Sequence, residues 1–278
     1  AKDNFGQGTA LVAASALIVD YILTVAVSVT SGVANFSSAF PSLAPYAVEL
    51  SVAMVVGLTL MNLRGVRESG KAFAAPTYLF IVSVLVLIGA GIVKTLLGQP
   101  LVAESAALPV EAAQATGATA IFLLLRAFAS GCTALTGVEA VSNGVPYFKP
   151  PKSANDSRTL LAMGTLAITM FGGVTWLAIV SGVRLSEDNA TLGLPADYVQ
   201  PTVPAQLGSA VFGASSIGFY ALQIFTTAVL VLAANTAYNS FPIMASVLGR
   251  DGFLPRQFGR RGDRLVFSNG ILFLAGAS

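Results

Sequence analysis

Histidine is absent from this chain, cysteine and tryptophan occur once each as Cys132 and Trp176, and charged residues make up only 10% of the sequence. Each shortage excludes something. Without imidazole, proton chemistry near neutrality falls to carboxylates or tyrosines. A lone cysteine rules out an internal disulfide and a cysteine metal cluster. Soluble domains carry roughly 25% charged residues, so a chain this poor in charge cannot clothe a water-facing surface, and a soluble enzyme is excluded. Enzyme chemistry and a bound cofactor are accordingly not expected. What is abundant is apolar: 55% of the 278 residues are hydrophobic and 27 are glycine, a residue that lets helices approach closely in membranes.

Apolar runs of membrane length occupy residues 11–33, 47–63, 76–97, 118–145, 160–183 and 209–234, and a seventh begins at Asn269. The expectation is an all-α transmembrane protein in a single domain, residues 1–278, with six complete spans and the start of another. Positive charge alternates between the connections. Arg64, Arg67 and Lys71 share one loop, Lys149, Lys152 and Arg158 a second, and Arg250, Arg256, Arg260, Arg261 and Arg264 a third. Loops 37–46 and 98–117 have neither lysine nor arginine, and 184–208 has only Arg184. The positive-inside rule places 64–71, 149–158 and 250–264 in the cytoplasm of a multi-pass plasma-membrane protein. The five arginines of the third loop are explained by topology and anionic lipid, so nucleic acid is not an expected partner. Residues 238–258 mix apolar and charged side chains and read as an interfacial amphipathic segment. The first residues, Ala1-Lys2-Asp3-Asn4, lack a signal-peptide pattern, and the expectation is an internal piece of a longer transporter.

Within the first run stands Asp20. At about 100° per residue, Asp20, Ser31, Thr24, Ser28 and Tyr21 fall inside an arc roughly 100° wide, with Leu17 the one apolar intruder. A carboxylate at membrane depth costs at least ~2.5 kcal/mol, and a helix that carries one beside several hydroxyls faces a pathway or site by default. The competing reading is structural: hydroxyls in membrane helices also satisfy backbone carbonyls or pack at small-residue contacts, and Asp20 would then need a buried cationic partner, for which Arg126 is available.

The fourth run holds Ser130-Gly131-Cys132-Thr133-Ala134-Leu135-Thr136-Gly137-Val138-Glu139. Glycines and hydroxyls this dense weaken a helix. Backbone that unwinds at membrane depth is tolerated only where it is buried or lines a cavity, and transporters use such breaks to coordinate ions or substrate. Gly131 and Gly137 are the candidate unwinding positions, Thr133 and Thr136 the candidate ligands. Glu139 is a second candidate for proton exchange. The two glycines also suit close helix packing, and Glu139 also suits capping of freed amides.

Val19-Asp20-Tyr21-Ile22-Leu23-Thr24-Val25-Ala26-Val27-Ser28, the segment from Ala134-Leu135-Thr136-Gly137-Val138-Glu139 to Asn143-Gly144-Val145-Pro146, Ala233-Ala234-Asn235-Thr236, Asp251-Gly252-Phe253-Leu254-Pro255-Arg256-Gln257-Phe258 and Arg261-Gly262-Asp263-Arg264 together resemble the amino acid, polyamine and organocation transporter superfamily. Within it they look most similar to the KimA-type potassium importers of bacteria. The resemblance covers essentially the whole chain. It implies a fold of two inverted five-helix repeats, truncated at both ends, with this chain running from the third helix into the ninth. It further implies proton coupling at Asp20, and Tyr21, Thr24, Ser28 and a threonine of the unwound sixth helix, Thr133 or else Thr136, around potassium. Potassium, protons and the bilayer are then the partners, and homo-oligomer formation is left open. The alternative is a proton-coupled amino acid permease. Such permeases usually have an aromatic gate before a Gly-Phe-Glu-like motif, and here Leu135-Thr136 precedes Gly137-Val138-Glu139.

The charge alternation generates a direct test. In a Cys132→Ser background, cysteines introduced at Ser69 and Ser153 are expected to stay unreactive towards an impermeant thiol reagent in intact cells and to react after permeabilisation. Labelling in intact cells would invert the topology.

Overall fold

In hydrocarbon every backbone N–H and C=O must find its partner within the protein, which leaves an apolar run little choice but a helix. The computed structural model describes residues 2–65, 70–109, 116–133, 149–186, 189–250, 252–259 and 267–278, and among them the regular structure is entirely helical. In chain order the helices are α1 (Lys2–Ala39), α2 (Ala47–Leu63), α3 (Gly70–Leu96), α4 (Ala118–Thr133), α5 (Lys152–Ser181), α6 (Val203–Phe212), α7 (Ile217–Arg250) and α8 (Ser268–Ala277), with short 3-10 turns at Pro41–Tyr46, Glu104–Ala107, Asn189–Leu192 and Arg256–Gly259. Five stretches are long and apolar enough to cross a membrane: Gly8–Ala39, Pro41–Leu63, Ala74–Leu96, Lys152–Ser181 and Ile217–Arg250. The chain is a multi-pass membrane protein.

Two expectations change at the sixth run. Its first residues, 209–212, belong to the separate helix α6, and the span is α7. Gly213, at φ 91° and ψ 140°, ends α6 in a conformation that suits glycine. Ser216 then caps α7, its Oγ accepting the Phe219 N–H at 3.0 Å. Nor does an interfacial segment begin at Tyr238. Helix α7 runs on to Arg250, and Ala234, Ala237, Tyr238, Phe241 and Ala245 are buried at three- and four-residue spacing, the stripe of a packed helix. At 1.5 Å per residue its 34 residues extend about 51 Å, well past a ~30 Å hydrocarbon layer. The polar residues that suggested an interface therefore belong to a helix that outruns the bilayer.

The described residues form two compact units. The first comprises Ala1–Leu101 and Val199–Ser278, and α7 is its axis. Val25 and Val29 of α1, Leu58 of α2, Tyr238 and Phe241 of α7, and Leu274 of α8 make its main core. Tyr21 meets Phe241 edge-on at 6.3 Å, and Phe241 stacks on Phe273 at 5.8 Å. The second unit, Val102–Tyr198, contains α4 and α5. Where α5 ends, the Ser181 carbonyl accepts the Ala103 N–H at 2.9 Å. Arg184 donates its backbone N–H to Ser105 Oγ at 2.8 Å and its guanidinium to the Leu108 carbonyl. Tyr198 Oη donates to Glu104 at 3.2 Å; partial burial, then the neighbouring carboxylate, raise its pKa, so the phenol stays a donor.

Helix α8 approaches α7 so closely that a Cβ on Gly270 would lie 3.0 Å from both Cα and Cβ of Pro242. A proline ring and backbone yield little. Gly270→Ala is expected to destabilise the protein by about 1–3 kcal/mol, the usual range for overpacking, while Gly276→Ala, where a Cβ meets nothing within 4 Å, serves as the control. Thermal unfolding of the purified protein measures both.

Candidate transport site

Helix α1 divides into three sectors around its axis. Val25 and Val29 are fully buried against the core, and Ile18 and Ile22 flank them. Val19, Leu23 and Val27 form an exposed apolar strip, each more than half exposed. Between the two lies the polar stripe, in which Asp20 is exposed and Tyr21, Thr24, Ser28 and Ser31 are half-buried. Asp20 thus points away from the core of its own unit, twelve residues from Gly8, or about 18 Å along the helix axis. That lies well inside the apolar stretch Gly8–Ala39. A carboxylate there cannot face lipid without the cost noted above, so this face of α1 meets water or other protein.

Asp20, Tyr21, Thr24 and Ser28 are accordingly brought together on one face, as the sequence indicates. Gly131 lies within α4, which stays helical through Thr133. The side chain of Thr133 and the whole of Thr136, Gly137 and Glu139 lie outside the described residues. A cavity of about 470 Å³ borders α1 as well, but it is lined by Ala26, Val29 and Thr30 from the opposite side of the helix, together with α2 and α8. It is apolar and separate from the stripe.

The stripe continues further than expected. Asn35 falls about 60° from Asp20, on the same face, and is 2% exposed. Its Nδ2 donates to the Gln223 carbonyl at 2.9 Å and to Thr227 Oγ1 at 3.2 Å, and its Oδ1 accepts from Thr202 Oγ1 at 3.1 Å. Thr227 in turn donates to the Gly32 carbonyl at 3.3 Å, and the Thr202 N–H donates to Ser38 Oγ at 3.1 Å. One amide therefore joins α1, α7 and the residue preceding α6. A second clamp ties α2 to α7: Asn62 Nδ2 donates to Asn235 Oδ1 at 2.7 Å, and Thr59 lies 3.1 Å from Tyr238 Oη. Thr59 gives its proton to the Val55 carbonyl at 2.7 Å, so Tyr238 is the donor to Thr59. These residues fix how α1 and α2 are rotated against α7. The sequence signal is an asparagine in or just beyond an apolar run, at Asn35, Asn62 and Asn235, which marks a need for partners without naming them.

The family model described as amino acid permease matches residues 1–278, the entire chain. The chain belongs to this family. The chain is 45% identical over 280 residues to "Potassium transporter KimA" of Bacillus subtilis, an alignment that covers 100% of this chain and 43% of that protein. It is also 36% identical over 138 residues to "Probable potassium transport system protein Kup" of Thiobacillus denitrificans, covering 49% of this chain and 21% of that one. The chain thus spans less than half the length of either relative.

Removing the Asn35 amide leaves the Thr202 and Thr227 hydroxyls and the Gln223 carbonyl without their side-chain partner. Asn35→Ala is expected to cost about 1–3 kcal/mol of stability. Thr30→Ala, whose hydroxyl only returns to carbonyls of its own helix at 2.8 and 3.2 Å, is expected to cost well under half as much. Melting of the two purified variants provides the comparison.

Proposed function

We propose that this chain is part of the transport domain of a secondary transporter that carries potassium into bacteria together with protons. The observation that carries the reading is the α1 stripe, where an exposed carboxylate inside a membrane-length apolar helix adjoins Tyr21, Thr24 and Ser28. A dehydrated monovalent cation wants several neutral oxygens of moderate field strength, and three hydroxyls on one helix face offer them. Asp20 beside them takes up and releases the coupling proton. Whole-chain identity to a protein named as a potassium transporter supports the cation. On the resemblance alone, Thr133 and Thr136 join the cation ligands, Gly137 permits a helix break beyond Thr133, since Gly131 itself is helical, and Glu139 is the second candidate for proton coupling. Loops 64–71, 149–158 and 250–264 face the cytoplasm in this reading, and the membrane is the bacterial plasma membrane.

A proton-coupled amino acid permease is the second reading, favoured by the description of the family model itself. The same stripe would then adjoin a substrate amine. The lack of an aromatic residue before Gly137-Val138-Glu139 speaks against it.

One assay separates the two. The complete gene product is expressed in a bacterium that lacks potassium uptake and grows on limiting potassium, with radiolabelled amino acid uptake measured in parallel. Rescue is expected, with no amino acid accumulation. Thr24→Ala removes one neutral oxygen, a loss of about 1–3 kcal/mol, or roughly ten- to hundredfold in apparent potassium affinity. Asp20→Asn is expected to abolish gradient-driven uptake while leaving expression and melting unchanged. Amino acid accumulation without rescue would move the assignment to the permease, and normal pH-dependent uptake by Asp20→Asn would move the proton to Glu139.

A further inference from the structure

Gln223 and Thr226 stand one turn apart on α7, 0% and 9% exposed. Neither the amide nitrogen and oxygen of Gln223 nor the hydroxyl of Thr226 has a hydrogen-bond partner among the described residues. The backbone around them is well satisfied, since the Gln223 carbonyl is held by Asn35. Thr226 also departs from the habit of its kind. Thr30, Thr59, Thr165 and Thr236 each return the hydroxyl proton to the carbonyl four residues back, at 2.7 to 3.0 Å, and Thr226 does not. Across from the amide, α6 presents Gly208. A Cβ there would lie 3.6 Å from Gln223 Nε2, and 3.1 and 3.2 Å from Leu222 and Phe219. Glycine at this position lets α6 lie close against the Gln223 amide.

We infer that the contact between α6 and α7 contains a buried water site, held by the Gln223 amide and the Thr226 hydroxyl. The ligand class follows from the groups that face it. A potassium ion would suit the two oxygens but would confront the two amide N–H donors. An anion would suit the N–H donors and the hydroxyl but would confront Gln223 Oε1. Water both donates and accepts, and buried waters characteristically make about three bonds to groups that would otherwise stay unpaired. The site belongs to the first unit alone and does not depend on which solute is transported. Its role is to join α6 to α7 beside the Asn35 clamp, where an unfilled amide would weaken the contact.

The test has two arms. A structure of the complete gene product, at a resolution that shows ordered water, is expected to hold a water within hydrogen-bond distance of Gln223 and Thr226. Thermal unfolding of Gln223→Met supplies the sign. In a hydrated site methionine expels the water and leaves Thr226 unpaired, so the Tm falls, and adding Thr226→Val recovers part of the loss. In a dry site the same substitution removes an unpaired amide and the Tm rises. Any one of three results overturns the inference: no density between the two side chains, a side chain from outside residues 1–278 bonded to the amide, or a Tm of Gln223→Met at or above that of the unsubstituted protein. Should Gln223→Met fail to fold, the density decides alone.

Discussion

Hydrocarbon offers no hydrogen bonds, and the arrangement of this chain follows from where its polar side chains find them. The apolar surface that α1, α2 and α7 share would be almost as content against lipid as against one another. Rotation and register of the helices therefore depend on a few amides and hydroxyls: Asn35 against Gln223, Thr227 and Thr202, and Asn62 against Asn235. Model helices assign such bonds only about 1–2 kcal/mol each. That suffices because competing rotations of α1 would leave the same groups unpaired, and the difference between paired and unpaired is what selects one orientation.

Fixing α1 by Asn35 has a consequence fifteen residues away. Asp20 and Asn35 lie on the same stripe, so the bond that turns Asn35 towards α7 also decides where the carboxylate goes. Midway between them Val25 and Val29 are buried against the core, which holds the stripe to one side of it. Asp20 consequently stays on a face that its own unit leaves uncovered, adjacent to the hydroxyls. The exposed apolar strip of Val19, Leu23 and Val27 borders the stripe on its other side, so the carboxylate sits at the edge between two environments rather than in the middle of one.

Much of this was legible in the sequence. Helical class, the spans that begin near residues 11, 47, 76 and 160, and the shared face of the polar residues follow from apolar run length and a 3.6-residue period, because those quantities are local and the membrane amplifies them. The reading failed where polarity was taken as a substitute for position. Apolar side chains mixed with Arg250, Asp251 and Arg256 over residues 238–258 suggest an interface, yet Tyr238 and Phe241 are among the largest fully buried side chains; their burial depends on α1, α2 and α8 closing around α7, which no window of α7 reveals. The boundary between α6 and α7 could have been found, since Gly213 and Ser216 are a stop and a cap three residues apart. The clamps could not, because an asparagine announces a need for partners without naming them. Thr136, Gly137 and Glu139 lie outside the described residues, so that part of the reading stands on sequence alone.

In the proposed reading a small cation suits the stripe better than an amino acid for a reason independent of any relative. An amino acid zwitterion needs donors for its carboxylate as well as acceptors for its amine. Tyr21, Thr24 and Ser28 are able to do both, but Asp20 is acceptor-only when ionised, and in a low-dielectric site it would repel a carboxylate placed beside it. A monovalent cation has no such conflict. In the proposed reading an ionised Asp20 would attract it and a neutral Asp20 would hold it less tightly, which would link the cation at the hydroxyls to a proton on the neighbouring carboxylate. A proton-linked cation carrier of the proposed kind would need neutral oxygens and a carboxylate side by side, and a single face of α1 holds both.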